Sequence, residues 1–317
     1  MGLSESHPGG GKRTDVSIYL QKLPPGIDAE RLANTKPFFI SESRVAQGQP
    51  VLQTWCETGS GYYFFRYGYG FSFAIERNGR SIWAKWHDSV PFADVSAYLL
   101  GQVFGFALHL RGYVCLHASA VAIDGKAVLF AGDPGTGKSS TAAAFAEQGC
   151  PLLADDISAV KREESGELLV VPSFPRVCLW PDSAELLYGG SARSFPRVHP
   201  SEEKYLVRMG ELSGKFRDRP APLGAIYLLT PRSADPAAPR IEPVNDAEQL
   251  VLLLANGFES LVLDGEQKAH EFRLLGEMCR RAPVQRLTPS SDLRKLRHLC
   301  ELVVNNVRAG NPAFAGH

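Results

Sequence analysis

Gly132-Asp133-Pro134-Gly135-Thr136-Gly137-Lys138-Ser139 satisfies the pattern G-x-x-x-x-G-K-[ST] in full, and Asp155-Asp156 follow it within a few tens of residues. Glycines at these spacings let successive backbone N–H groups turn onto phosphate oxygens, and the helix that follows starts with its positive dipole end at the same place. Lys138 then supplies a point charge for the β and γ phosphates, and Ser139 offers a hydroxyl to Mg²⁺. The required context is present: Lys126-Ala127-Val128-Leu129-Phe130-Ala131 reads as a buried strand, and Ser139 to Gln148 as an alanine-rich helix stopped by Gly149 and Pro151. Gly132, Asp133, Pro134, Gly135, Thr136, Gly137, Lys138, Ser139 and Ser140 are therefore the candidate nucleotide-binding residues, with ATP and Mg²⁺ as the implied cofactors. The alternative, a glycine-rich turn that binds nothing, does not account for the strand and helix on either side.

Upstream of the loop, Tyr113 to Ile123 and Lys126 to Ala131 flank Asp124-Gly125, a strong hairpin signal. The strand feeding the loop thus has an antiparallel neighbour, which predicts a mixed sheet in an α/β domain. Downstream, Leu152-Leu153-Ala154 is a short apolar strand whose end presents Asp155 and Asp156. Phosphoryl transfer needs one carboxylate to help hold Mg²⁺ and uses another to accept the proton of the attacking hydroxyl, and two carboxylates at a strand end can divide those jobs. A capping or turn role is the competing explanation. His117, within Leu116-His117-Ala118-Ser119-Ala120, is read either as a satisfied core histidine of that strand or as an imidazole that orients or tunes a catalytic carboxylate.

The rest of the chain falls into three parts: a polar, glycine-rich flexible N-terminus (1–14), a β-rich module (15–92) and the nucleotide-binding domain (93–317). The module shows alternating Val16, Ile18 and Leu20, an aromatic run from Tyr62 to Phe73, and an Asn78-Gly79 turn. Its aromatics form either a sheet core or a peptide-binding face. Asp94 is positioned to cap one apolar helix running through Leu110 to Gly112. In the second domain Leu168–Val171, Arg176–Trp180 and Gly224–Leu229 read as strands. Asn245, with Glu248 completing a capping box, opens a leucine-rich helix to about Ala255, and Asp292 to Val307 is an amphipathic closing helix. Pro231 to Pro239 reads as a surface loop. The basic stretch containing Arg193, Arg197, Lys204, Arg208, Lys215, Arg217 and Arg219 either grips an anionic substrate or is a solvated loop balanced by Glu202, Glu203, Glu211 and Asp218. Lys204 and Arg208 are the pair to test first.

With 317 residues, 44% hydrophobic and 21% charged, the composition is that of a globular chain large enough for about two domains. The 34 basic and 34 acidic side chains cancel, so no global field draws the protein to nucleic acid or to an anionic membrane. Cys56, Cys115, Cys150, Cys178, Cys279 and Cys300 include no C-x-x-C pair and read as reduced, buried thiols, with no zinc site expected. No apolar run approaches the roughly eighteen residues of a membrane span, and the first residues do not read as a signal peptide. The expectation is a soluble, cytoplasmic protein.

Leu116-His117, the Gly132–Ser139 loop and Leu153-Ala154-Asp155-Asp156, in that order and at those gaps, resemble the catalytic domain of HPr kinase/phosphorylase, a bacterial serine kinase related in fold to ATP-dependent phosphoenolpyruvate carboxykinase. The resemblance spans about Val114 to Val160. It implies a P-loop kinase domain with a mixed sheet, ATP held by the loop, Mg²⁺ held by Ser139 and Asp156, Asp155 as general base assisted by His117, and Lys138 stabilising the transferring group. The order of the two aspartates stays open. The family's downstream glycine-rich signature, associated with phosphorolysis, is not present; Pro175-Arg176-Val177-Cys178-Leu179-Trp180-Pro181-Asp182 stands in its place, which questions both the HPr substrate and the phosphorylase activity. The layout looks more like HPr-kinase-like proteins of peptide natural-product clusters, some of which resemble kinases acting on a serine of a lasso peptide precursor. HPr kinases assemble as hexamers, so a homo-oligomer is left open.

The expected activity is transfer of the γ-phosphoryl of ATP to a serine of a peptide or small protein. Two rivals remain: a nucleotide-gated binding or switch protein without kinase activity, and a small-metabolite kinase. A GTPase is disfavoured because neither N-K-x-D nor a following D-x-x-G occurs.

Overall fold

The computed structural model of the chain describes residues 15–25, 32, 35–56, 61–198, 203–258 and 260–310; the readings of 1–14 and of Glu202 lie outside these. The chain divides into two compact units between Leu99 and Leu100. Among the described residues no helix is long and apolar enough to cross a membrane.

The first unit is a six-stranded sheet in the order β1-β6-β5-β4-β3-β2, built from β1 (Ser17–Leu20), β2 (Phe39–Ile40), β3 (Leu52–Cys56), β4 (Tyr62–Tyr67), β5 (Phe71–Glu76) and β6 (Ser81–Trp86). All neighbours are antiparallel except β1, which adds parallel to β6. Tyr63, Phe64, Phe65, Tyr67, Phe71 and Phe73 are buried, so these aromatics form core and not a free peptide-binding face; Tyr69 alone of that run is strongly exposed. The helix α1 (Phe92–Tyr98) closes the unit by laying Tyr98 against Tyr67 and Phe71, with ring centroids 4.7 and 5.0 Å away.

The apolar pattern predicts one helix from Asp94 to Leu110, but the structure breaks it into α1, a π-helical turn at Leu99–Val103 and α2 (Phe104–Leu110). Gly101 sits in that turn, and glycine in a helix interior costs about 1 kcal/mol relative to alanine. Asp94 lies in the first turn of α1, while the capping position is Pro91.

The second unit is α/β, with a mixed sheet bearing the phosphate loop. Its strands are β7 (Val114–Leu116), β8 (Ala118–Ile123), β9 (Lys126–Ala131), β10 (Leu152–Ala154), β11 (Ser158–Arg162), β12 (Leu168–Val171), β13 (Arg176–Leu179), β14 (Tyr205–Arg208), β15 (Ala221–Leu229), β16 (Arg240–Pro243) and β17 (Val284–Thr288). The long strand β15 belongs to two blocks. Its first residues pair with β12, which continues through β11 to β7; its later residues lie parallel to β9 on one side and to β17 on the other. β9 also pairs antiparallel with β8, and β8 with β10, as the hairpin at Asp124-Gly125 requires. Both turn residues have positive φ, 46° and 81°, the left-handed pair typical of a two-residue hairpin.

The helices are α3 (Lys138–Glu147), α4 (Pro181–Tyr188), α5 (Asp246–Ala255), α6 (Gly265–Arg281) and α7 (Leu296–Gly310). Asn245 caps α5 through Ala247 N–H at 3.0 Å, whereas Glu248 lies 3.8 Å from Arg286. The closing helix starts later than its pattern suggests, because Asp292 caps a short 3₁₀ turn at Leu293–Lys295 before α7 begins. Only Cys115 and Cys300 are fully buried; the other four thiols are half-buried, and all six are free.

Candidate phosphate-binding site

β9 is buried from Ala127 to Ala131 and carries the chain to Gly132 at a sheet end. There the backbone takes φ of 148°, and a Cβ at Gly132 would meet the Leu229 carbonyl oxygen at 2.5 Å. Gly135 and Gly137 follow with φ of 85° and 104°. All three glycines sit in backbone space that side chains rarely enter. Gly132→Ala is expected to cost about 2–3 kcal/mol of stability, because the obstructing atom is backbone and cannot swing aside. Urea unfolding of that variant, compared with Gly190→Ala, where a Cβ meets nothing, measures the difference.

Thr136 closes the loop on itself, donating from N and from Oγ1 to the Asp133 carbonyl at 3.3 and 2.8 Å. α3 then starts at Lys138 with Gly137 at the capping position and no side-chain cap. Its first amides are thus left to the loop cavity, as a phosphate site requires. Lys138 is only 7% exposed, and its Nζ donates to the Gly132 and Asp133 carbonyls at 2.6 and 3.1 Å. Burial lowers its pKa, opposed by the charges of Asp156, Asp155 and Asp133. Ser140 lines the cavity beside the loop, and its hydroxyl donates to Ser183 Oγ at 2.8 Å, which ties α3 to α4.

The acidic pair is split by the backbone. Ile157 N–H donates to the Asp155 carbonyl at 2.8 Å and Asp156 has φ of 69°, the signature of a classic γ-turn, a rare and strained conformation. The two neighbouring carboxylates consequently enter different surroundings. Asp155 turns inward, where Oδ1 accepts from Ser119 Oγ at 2.6 Å, Oδ2 accepts from the Cys178 backbone N–H at 3.1 Å, and the Ser139 side chain adds a third hydrogen bond. Burial pushes its carboxyl above the usual range, with those three bonds opposing the rise.

Asp156 turns outward, with its side chain 66% exposed and Oδ1 3.5 Å from His117 Nδ1. His117 is not inside one continuous strand. It occupies the break between β7, which pairs with β11, and β8, which pairs with β9, and its N–H donates to the Asn256 carbonyl at 2.8 Å. Burial and the nearby Lys138 hold the imidazole below its ordinary pKa despite the attraction of Asp156, so it is neutral near pH 7.

His117, Lys138, Ser139 and Asp156 line one cavity of about 470 Å³. Three further residues contribute: Arg232 and Asp182, which the motif reading did not assign to the site, and Lys204, singled out with Arg208 in the basic stretch. Arg232, just beyond β15, packs against the loop so closely that a Cβ on Gly137 would lie 2.5 Å from its Nη2; its Nη1 donates to the Ser290 carbonyl at 3.4 Å. No carboxylate pairs with it among the described residues. Asp182 reaches the cavity from the first turn of α4, and Lys204 from beside β14.

The donor set suits Mg²⁺, which commonly takes one or two carboxylates and completes its shell with substrate phosphates and water. Ser139 would hold it together with one of the two aspartates, Asp156 in the cavity lining or Asp155 beside Ser139, with Asp182 lining the same cavity.

No family model and no curated protein matches the chain. Among solved structures it is similar to the HPr(Ser) kinase/phosphatase from Coxiella burnetii, at 19% identity, covering 61% of this chain and 95% of that one with a TM-score of 0.32.

Proposed function

We propose that the protein is an ATP-dependent kinase that transfers the γ-phosphoryl group to a serine hydroxyl of a peptide or small protein, a lasso-type precursor peptide being the candidate acceptor. The observation that carries this reading is the γ-turn at Asp156. It separates an inward carboxylate beside Ser139 from an outward carboxylate beside a neutral histidine, which are the two environments that metal holding and proton acceptance require.

This geometry favours the reverse of the order first carried over from the family resemblance. Asp155, already engaged by three donors, is the metal-side carboxylate with Ser139. Asp156, open to solvent and facing His117, is the base. In the transfer step the serine oxygen bonds to the γ-phosphorus as the bond to the bridging oxygen of ADP breaks, and Asp156 takes the hydroxyl proton. His117 orients the Asp156 carboxylate. Lys138, the loop amides and Arg232 stabilise charge on the transferring group. Mg²⁺ bound at Ser139 and Asp155 would neutralise charge on the β and γ phosphates.

The test is mass spectrometry of HPr and of serine-containing precursor peptides encoded beside the gene, each incubated with ATP, Mg²⁺ and the protein. A phosphoserine on a peptide, absent with Asp156→Asn, is the expected result. Tight ATP binding with no phosphorylated product from any acceptor overturns the kinase reading in favour of a nucleotide-gated switch.

A further inference from the structure

The cavity has two flanks set by the sheet order. β15 neighbours β9 on one side and delivers Arg232; β8 and β10 lie on the other side and deliver Asp155 and Asp156. The Cys178 amide bonds to Asp155, so the β13–β14 ribbon is attached to the carboxylate flank, and with it come Trp180 and Lys204.

Lys204 Nζ sits 5.3 Å from the centroid of the Trp180 ring, and both residues line the cavity. The indole is 50% exposed although it caps α4 next to the site. A cation over an indole face is held in place without being neutralised. Among the described residues Lys204 has no carboxylate partner, whereas Arg208, four residues on, is tied to Glu211 at 3.1 Å. The field of Lys204 reaches inward, since it acts on both Lys138 and Cys178.

A cation with no carboxylate partner among the described residues, carried on the ribbon that is attached to Asp155, is placed to meet an anion on the hydroxyl acceptor. We infer that Lys204, steadied by Trp180, selects acceptors that carry a carboxylate close to the phosphorylated serine. This rests on the kinase reading above. Lys204 is a specificity residue and takes no part in the bond changes.

Three synthetic serine peptides that differ only at the residues flanking the serine, Glu, Gln or Lys, test it by kcat/KM. The unmodified protein is expected to prefer the Glu peptide over the Lys peptide by about tenfold or more, the value of one charge-assisted hydrogen bond. Lys204→Gln is expected to flatten the series and Lys204→Glu to invert it. Equal rates on all three peptides with the unmodified protein overturn the inference and leave the kinase standing. A Lys204→Gln variant that slows all three equally, keeping the preference, also overturns it, because the lysine would then be acting on the nucleotide. Absence of phosphorylation on every peptide overturns the kinase reading, and the inference with it.

Discussion

Asp156→Asn is expected to lower phosphoryl transfer about a thousandfold, close to 4 kcal/mol of transition-state stabilisation, the middle of the range for loss of a general base. The substitution is conservative in two ways that matter here. Asparagine tolerates the left-handed backbone of the γ-turn, so φ of 69° need not change, and it keeps a polar group beside His117. What it removes is proton acceptance. Nucleotide binding, measured by titration with a fluorescent ATP analogue, should therefore survive. Asp155→Asn should show the opposite signature, a weaker Mg²⁺-dependent increment of nucleotide affinity, because that carboxylate sits beside Ser139. If Asp156→Asn retains full transfer and Asp155→Asn alone abolishes it with binding intact, the two roles are the other way round.

The largest stability effect is expected from Phe130→Ala. Phe130 is fully buried at the end of β9, stacked between Phe145 of α3 at 5.3 Å and Tyr227 of β15 at 5.9 Å. Truncating a buried phenylalanine typically costs 3–5 kcal/mol, part from lost transfer and part from the cavity left behind. The same ring joins the strand before the phosphate loop to the helix after it, so the loop's anchorage weakens with the core. Because the chain has two units, the measurement should follow the unfolding transition that ATP is expected to shift upward, which reports the unit carrying the Gly132–Ser139 loop. A midpoint within 1 °C of the unmodified protein would show that this stack does not support the site.

The parts of the site legible in the sequence are those whose cause is local. Gly132 to Ser139 carries its own backbone requirements, and Asp124-Gly125 dictates an antiparallel neighbour for β9. Apolar Leu152-Leu153-Ala154 places the acidic pair at a strand end. Which aspartate faces inward was not legible, because it depends on a turn set by partners from three other elements: Ser119 of β8, Ser139 of α3 and the Cys178 amide of β13. Arg232 was hidden for a similar reason. Within Pro231 to Pro239 it has the composition of a surface loop, and only the parallel pairing of β15 with β9 brings it to Gly137. The sequence singles out Lys204 together with Arg208 in the basic stretch, and what separates the two is Trp180 beside Lys204 and Glu211 on Arg208. By contrast α6 left a readable sign that the pattern reading passed over: Asp264 and Gln267 form a complete capping box at its start.

The resting position of Lys138 bears on what the loop retains. Its ammonium already satisfies two carbonyls of its own loop, Gly132 and Asp133, so an arriving anion competes with an internal occupant. A hydrogen bond to a charged group is worth about 1.5–3 kcal/mol, and a lone orthophosphate must recover that loss from few contacts. A polyphosphate chain meets the loop amides and the uncapped start of α3 as well, and can displace the lysine with interactions to spare. The expected consequence is a loop that discriminates by length of phosphate chain, to be checked by comparing the affinities of orthophosphate and tripolyphosphate for the protein.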